Sequence, residues 1–157
     1  MRDLEDNFEE SSITKEILAT AINSSWMMTS GVIVFFMQSG FALLESGSVR
    51  HKNYQNILIK NCMDFCIGGI VWWAWGYALS HEADGGFMGT QNFFGIGMEG
   101  KYGIWFLSYV FASTSATIVS GSLAERGKIN SYLVFSCIMT GLIFPIVSAW
   151  VWGGGFL

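Results

Sequence analysis

Lys60 and Asp64 stand four residues apart in an otherwise apolar stretch, and Glu45, Gln38 and Asn61 interrupt neighbouring apolar runs. Such side chains are rare in hydrophobic segments, where each demands a partner and marks an ion pair or a conduction path. The i, i+4 spacing of Lys60 and Asp64 predicts an ion pair on one helix face, with the lysine stem reaching toward an interface; a role in transport is the competing reading. Glu45 precedes the basic group Arg50, His51 and Lys52, and Glu125 is followed by Arg126, so both carboxylates are expected to be structural partners of bases at helix ends. Gln38 and Asn61 are expected to hydrogen-bond from helix to helix. The chemistry of an enzyme has no visible place: there is no glycine-rich phosphate loop, no nucleophile with its base and no cluster of metal ligands. His51 and His81 fall in turns, and Cys62, Cys66 and Cys137 fall in apolar segments, where packed free thiols are expected. No cofactor, metal or nucleic-acid partner is expected.

The elements that must position these residues follow from composition. Of the 157 residues 52% are hydrophobic and 13% charged, against roughly 25% charged in a soluble domain. No charge lies between Ile17 and Leu44, between Tyr102 and Ala124, or from Ile129 to Leu157. Each stretch can cross a hydrocarbon layer, which takes about 20 residues. A further stretch carries only Lys60 and Asp64 in its first turns. The fold class expected is an all-α membrane protein with four transmembrane helices, at about 26–47, 57–80, 102–124 and 130–152. Residues 1–25, with six acids and two bases, lack the basic start and small-residue cleavage site of a secretory signal and are expected to form an acidic extracellular tail.

If the spans alternate, the short turns after the first and third lie on one side and hold Arg50, Lys52, Lys60, Arg126 and Lys128, five of the eight bases. Short basic turns favour the cytoplasm, which puts the N-terminus and the loop 81–101 outside. All seven tryptophans then fall on the outer half, where anchoring at the interface accounts for most of them. In the third span Ala112, Ala116, Ser120 and Ala124 form one row and Ser113, Thr117 and Gly121 a second, marking a buried helix with close neighbours. Gly40, Gly47, Gly68 and Gly69 suggest similar contacts on the first two spans. Pro145 is expected to free a carbonyl and kink the fourth span.

Four stretches together resemble the ammonium transporter family (the Amt/Mep/Rh superfamily), and its Amt branch in particular: VFFMQSGFALLESGSVRHKN at 34–53, VWWAWGYAL at 71–79 with FMG and FFG following, FASTSATIVSGSLAER at 111–126, and FPIVSAWVWGGG at 144–155. The resemblance implies a homotrimer of eleven-span subunits built from two inverted five-helix repeats, of which these four helices would form most of the first. It implies ammonium/ammonia as substrate, recruited in an outer vestibule, passed between phenylalanines and deprotonated near two pore histidines. Carried onto this chain, it makes Trp152 the vestibule tryptophan and Phe111 one phenylalanine of the pore gate. Read without the family, Trp152 is an interfacial anchor and Phe111 a packing residue.

The family's chain runs on beyond a glycine run such as 153–155, so the sequence reads as an N-terminal fragment, expected to be multi-pass in the plasma membrane and inactive by itself. The alternative is a non-transporting membrane adaptor that associates with full-length transporter subunits through its small-residue faces.

Overall fold

The computed structural model describes residues 2–83, 86–125, 127–155 and 157, with side chains from residue 13 onward. All regular structure among them is helical. Four helical segments are long and apolar enough to cross a membrane: Ile13–Ser48, His51–Ser80, Tyr102–Leu123 and Ile129–Val151. The first belongs to α1 (Arg2–Ser48), an unbroken helix that begins well before residue 26. The second joins α2 (Tyr54–Val71), a π-turn (Trp72–Gly76) and α3 (Tyr77–Ser80). The third is α4 (Tyr102–Leu123), and the fourth joins α5 (Ile129–Ile138), a second π-turn (Met139–Ile143) and α6 (Phe144–Val151).

The helices stop where backbone chemistry lets them. After Ser48 the chain turns extended at Arg50 (φ −61°, ψ 141°) and makes one 3₁₀ turn at His51–Asn53. After Leu123 it turns extended at Ala124 and left-handed at Glu125 (φ +63°) before Lys128 leads into α5. The two short turns therefore lie at one end of the bundle, and the loop 81–101 lies at the other.

Helix α4 is the centre, packed against α1 along much of its length and against α2, α5 and α6. Its buried face is the expected small-residue stripe: Ala112, Ala116 and Ser120, with Ser113 and Thr117 beside them. Gly121 and Ala124, at the end of those rows, are less covered. Short side chains let the partner helices come close enough for dispersion and hydrogen bonds to replace the hydrophobic drive that lipid removes.

Contacts on α1 come from other glycines than expected. A Cβ at Gly31 would lie 2.7 Å from the Phe106 ring, whereas Gly40 and Gly47 face open space. On α2 the expectation holds: Gly68 lies against Thr140, and Gly69 against Tyr109, whose hydroxyl donates to the Phe65 carbonyl. Cys62 and Cys66 are free but exposed rather than packed.

One tryptophan is no anchor. Trp72 is 0% exposed and forms the aromatic core with Tyr77, Tyr109 and Phe144. The α-helical period explains its place, because Trp72 continues the buried row Asn61, Asp64 and Gly68 of α2, whereas the anchor argument reads depth alone.

Pro145 frees the carbonyl of Gly141, four residues earlier. That oxygen accepts the Trp75 indole N–H at 3.0 Å, so a side chain from the second span replaces the lost backbone bond. The approach requires glycine: a Cβ at 141 would sit 2.5 Å from Val71 Cγ1 and 2.7 Å from Trp75 Nε1. The π-turn before Pro145 meets the π-turn of the second span here, and a Cβ at Gly76 would be 3.2 Å from the Thr140 carbonyl. Replacing Trp75 by Phe keeps the ring and removes the donor, which should lower stability by about 1 kcal/mol; Gly141→Ala should cost more. Unfolding in mixed micelles measures both, with Trp26→Phe at an exposed site as the unchanged reference.

Candidate functional site

Polar side chains inside the bundle form a column of two hydrogen-bonded groups one helical turn apart. Lys60 Nζ lies 3.5 Å from Glu45 Oε2 and donates to the Ser120 carbonyl at 3.3 Å. It also sits 4.5 Å from the centroid of the Tyr132 ring. Glu45 accepts from the Ser120 hydroxyl through Oε1 and from Asn61 Nδ2 through Oε2 at 3.1 Å. One turn further in, Asp64, 1% exposed, accepts from Thr117 Oγ1 at 2.9 Å and from the Ser136 hydroxyl. Thr117 Oγ1 in turn accepts from Gln38 Nε2. All four spans contribute.

The sequence names these residues but mispairs two of them. The expected Lys60–Asp64 ion pair along α2 is not what forms: the lysine pairs with Glu45 of α1, and Asp64 is held by hydroxyls of α4 and α5. An i, i+4 pair suits a helix side open to water. On a face covered by three other helices, a carboxylate arriving from α1 completes the charge more closely. Gln38 and Asn61 do bond between helices, as expected. The partners that sequence reasoning missed are Ser120, Thr117 and Ser136; the signal for the first two was the hydroxyl-bearing side of α4, which small-residue packing already explained, and Ser136 of α5 gave none.

At the turn end Glu125 joins the two short turns. Its Oε1 accepts the Arg50 backbone N–H at 2.9 Å, Asn53 Nδ2 at 3.0 Å and Arg50 Nε at 3.4 Å. Its partner therefore comes from the other turn; Arg126, its expected companion, lies outside the described residues. These bonds, the backbone N–H foremost, hold the Glu125 carboxyl below its usual range.

At the loop end stands the residue expected to meet a cation. Trp152 follows α6, is 75% exposed, and precedes Gly153, Gly154 (φ +76°) and Gly155. Phe111 lies nine residues into α4, about 14 Å along the helix axis from its loop end, and is 47% exposed. Among the described residues no aromatic ring packs on either of them, and the structure does not bring the two together into one closed site. His81 stacks on Tyr77 at 4.4 Å, and burial lowers its affinity for a proton.

The model of the Ammonium Transporter Family matches residues 25–157. The chain belongs to the ammonium transporter family. Among relatives of this family member, Ammonium transporter Amt2 of Archaeoglobus fulgidus is 44% identical over 147 residues, which is 91% of this chain and 31% of the relative. Putative ammonium transporter 1 of Caenorhabditis elegans is 43% identical over 83% of this chain and 25% of its own length. A solved structure named Sensor Amt Protein superposes with a TM-score of 0.83 at 30% identity, over 88% of this chain and 36% of that one. The chain thus spans between a quarter and about a third of the length of these relatives.

Two outcomes follow from the geometry. Glu45→Ala strands the Lys60 ammonium and should cost about 3–5 kcal/mol, whereas adding Lys60→Met should recover part of that loss in a double-mutant cycle read by unfolding. The Glu125 carboxyl is depressed in the folded chain, so its contribution is present above the ordinary glutamate pKa and is lost as pH falls through the lower folded value. The amide resonance of Arg50 should therefore titrate below the ordinary glutamate range, and Glu125→Gln should abolish that titration.

Proposed function

We propose that this chain is the N-terminal part of an ammonium/ammonia transporter. The observation that carries the reading is the family match over residues 25–157, joined to relatives that are themselves named ammonium transporters. In this reading the chain lies in the plasma membrane with its N-terminus outside, and the complete protein is a homotrimer of eleven-span subunits. The loop end faces outward and receives the ion, and the basic turn end faces the cytoplasm.

Trp152 is the receiving residue and Phe111 a gate residue deeper along the path. An indole face attracts a partly desolvated cation by roughly 0.5–2 kcal/mol. That attraction does not separate ammonium from potassium, since both are monovalent cations of similar size. Discrimination comes from what ammonium alone can do, which is to donate directional hydrogen bonds and to give up a proton. Carrying a bare charge through hydrocarbon costs several kcal/mol, and proton loss at a hydrophobic constriction avoids that cost for ammonium only. The exposure of Trp152 and Phe111 supports this reading, since both are available to a path completed by further helices.

Residues 1–157 on their own do not transport, because four spans leave the gate residue uncovered on one side. Cells expressing only this segment should take up no labelled methylammonium above background. Grafted into a full-length relative in place of the matching residues, the segment should support uptake. In that graft Trp152→Leu should raise the concentration for half-maximal uptake about 2- to 30-fold, the equivalent of the cation–π attraction. Uptake by the segment alone, or an unmoved half-saturation in Trp152→Leu, would contradict the reading. Co-purification of the inactive segment with full-length subunits that it modulates would favour the adaptor alternative.

A further inference from the structure

The loop 81–101 is stitched to the end of α6 on both sides of Trp152. Before it, the Trp150 indole N–H donates to the Phe87 carbonyl at 2.9 Å, and the two rings meet edge to face at 5.2 Å. After it, the Gly153 carbonyl accepts the Ala83 backbone N–H at 2.9 Å. The fit at that second point is tight: a Cβ at Gly153 would lie 2.6 Å from the Ser80 carbonyl. Trp152 is thus an exposed ring on a segment held at Trp150 before it and at Gly153 after it.

What fixes the loop is Glu82. Its backbone is left-handed (φ +56°), a conformation unfavourable for a non-glycine residue that persists only where the surroundings hold it. They do hold it. The Glu82 carboxylate accepts Asn92 Nδ2 at 3.0 Å and the Lys101 ammonium. Asn92 is in the middle of the loop, itself left-handed, and Lys101 caps the start of α4. One carboxylate therefore ties the chain just after α3 to the middle of the loop and to the residue that leads into α4, and the residue immediately after it supplies the N–H that holds Gly153.

We propose that Glu82 is a positioning residue for Trp152: through Ala83 and Gly153 it sets the backbone that presents the indole at the outer end of the bundle. Glu82 acts on the ion only through this presentation, since its charge is already matched by Lys101. The inference rests on the reading of Trp152 as the receiving residue for its functional consequence, but not for its structural one.

Hydrogen exchange of the chain in lipid nanodiscs tests the structural part. Glu82→Ala should raise exchange both in the loop 86–101 and in the segment 150–155, while the interiors of the four spans stay protected. If Glu82→Ala loosens the spans as well, Lys101→Met, which cuts only one arm of the clasp, decides by the same comparison. The charge-swapped pair Glu82→Lys with Lys101→Glu should restore protection at 150–155, which a general loss of packing would not allow. Exchange that rises in the loop alone, or no rescue by the swap, overturns the inference.

The functional part is read in the grafted full-length background. There Glu82→Ala should raise the methylammonium concentration for half-maximal uptake several-fold with the maximal rate little changed, as Trp152→Leu does. If Trp152→Leu leaves half-saturation unmoved while Glu82→Ala still frees 150–155, the reading of Trp152 falls and the clasp stands. If Trp152→Leu shifts half-saturation and Glu82→Ala does not, the positioning role falls.

Discussion

A charged side chain withdrawn from water must find its partner within the bundle, and here Lys60 is where that requirement concentrates. It lies in the second span, and the groups that satisfy it come from elsewhere: the Glu45 carboxylate from α1, the Ser120 carbonyl from α4 and the Tyr132 ring from α5. Lipid supplies no substitute for any of them. The positions of three helices are therefore coupled to one ammonium group. The small-residue stripe of α4 serves the same constraint, because a bulky residue at Ala116 or Ser120 would hold the carboxylates beyond hydrogen-bond reach. Asp64 extends the column inward and binds α4 to α5 through hydroxyls alone.

Both ends of the bundle are closed by a similar device. Glu125 at one end and Glu82 at the other occupy left-handed backbone, and each carboxylate accepts hydrogen bonds from segments distant in sequence. In each case the side-chain bonds stabilise an otherwise unfavourable turn, and the turn aims the carboxylate at its donors. Charge at the rim thus does what small-residue packing does within the bundle. The two ends differ in what they carry: the Glu125 turn joins two short connections, while the Glu82 loop borders an exposed tryptophan.

Most of the architecture was legible from charge-free stretches, because a span must exclude uncompensated charge over about 20 residues. The burial of α4 was legible for a related reason, since its alanines, serines and threonines would be poor lipid-facing residues. The start of α1 was not. Acids at residues 3–10 end the apolar stretch but not the helix, whose N-terminus favours negative charge. Nor was the partner of Lys60, because helical spacing reports neighbours on the same helix and is silent about the next one. Which tryptophan is no anchor was not legible either, because the interface argument reads depth and not helix face. Trp152 and Phe111 were singled out by family resemblance only; in themselves they are exposed aromatics with no distinguishing local signal.

The paired π-turns have a consequence for how such a chain can change. Each carries one residue more than an α-helical turn, which rotates everything beyond it by about 100° relative to an uninterrupted helix. Trp75 on one turn docks on Gly141 on the other, so the loop-end halves of the second and fourth spans behave as meshed gears. A single-residue deletion in either would swing its loop-end half out of mesh while the other half kept its place. Length changes in these two helices are then tolerated only as matched pairs.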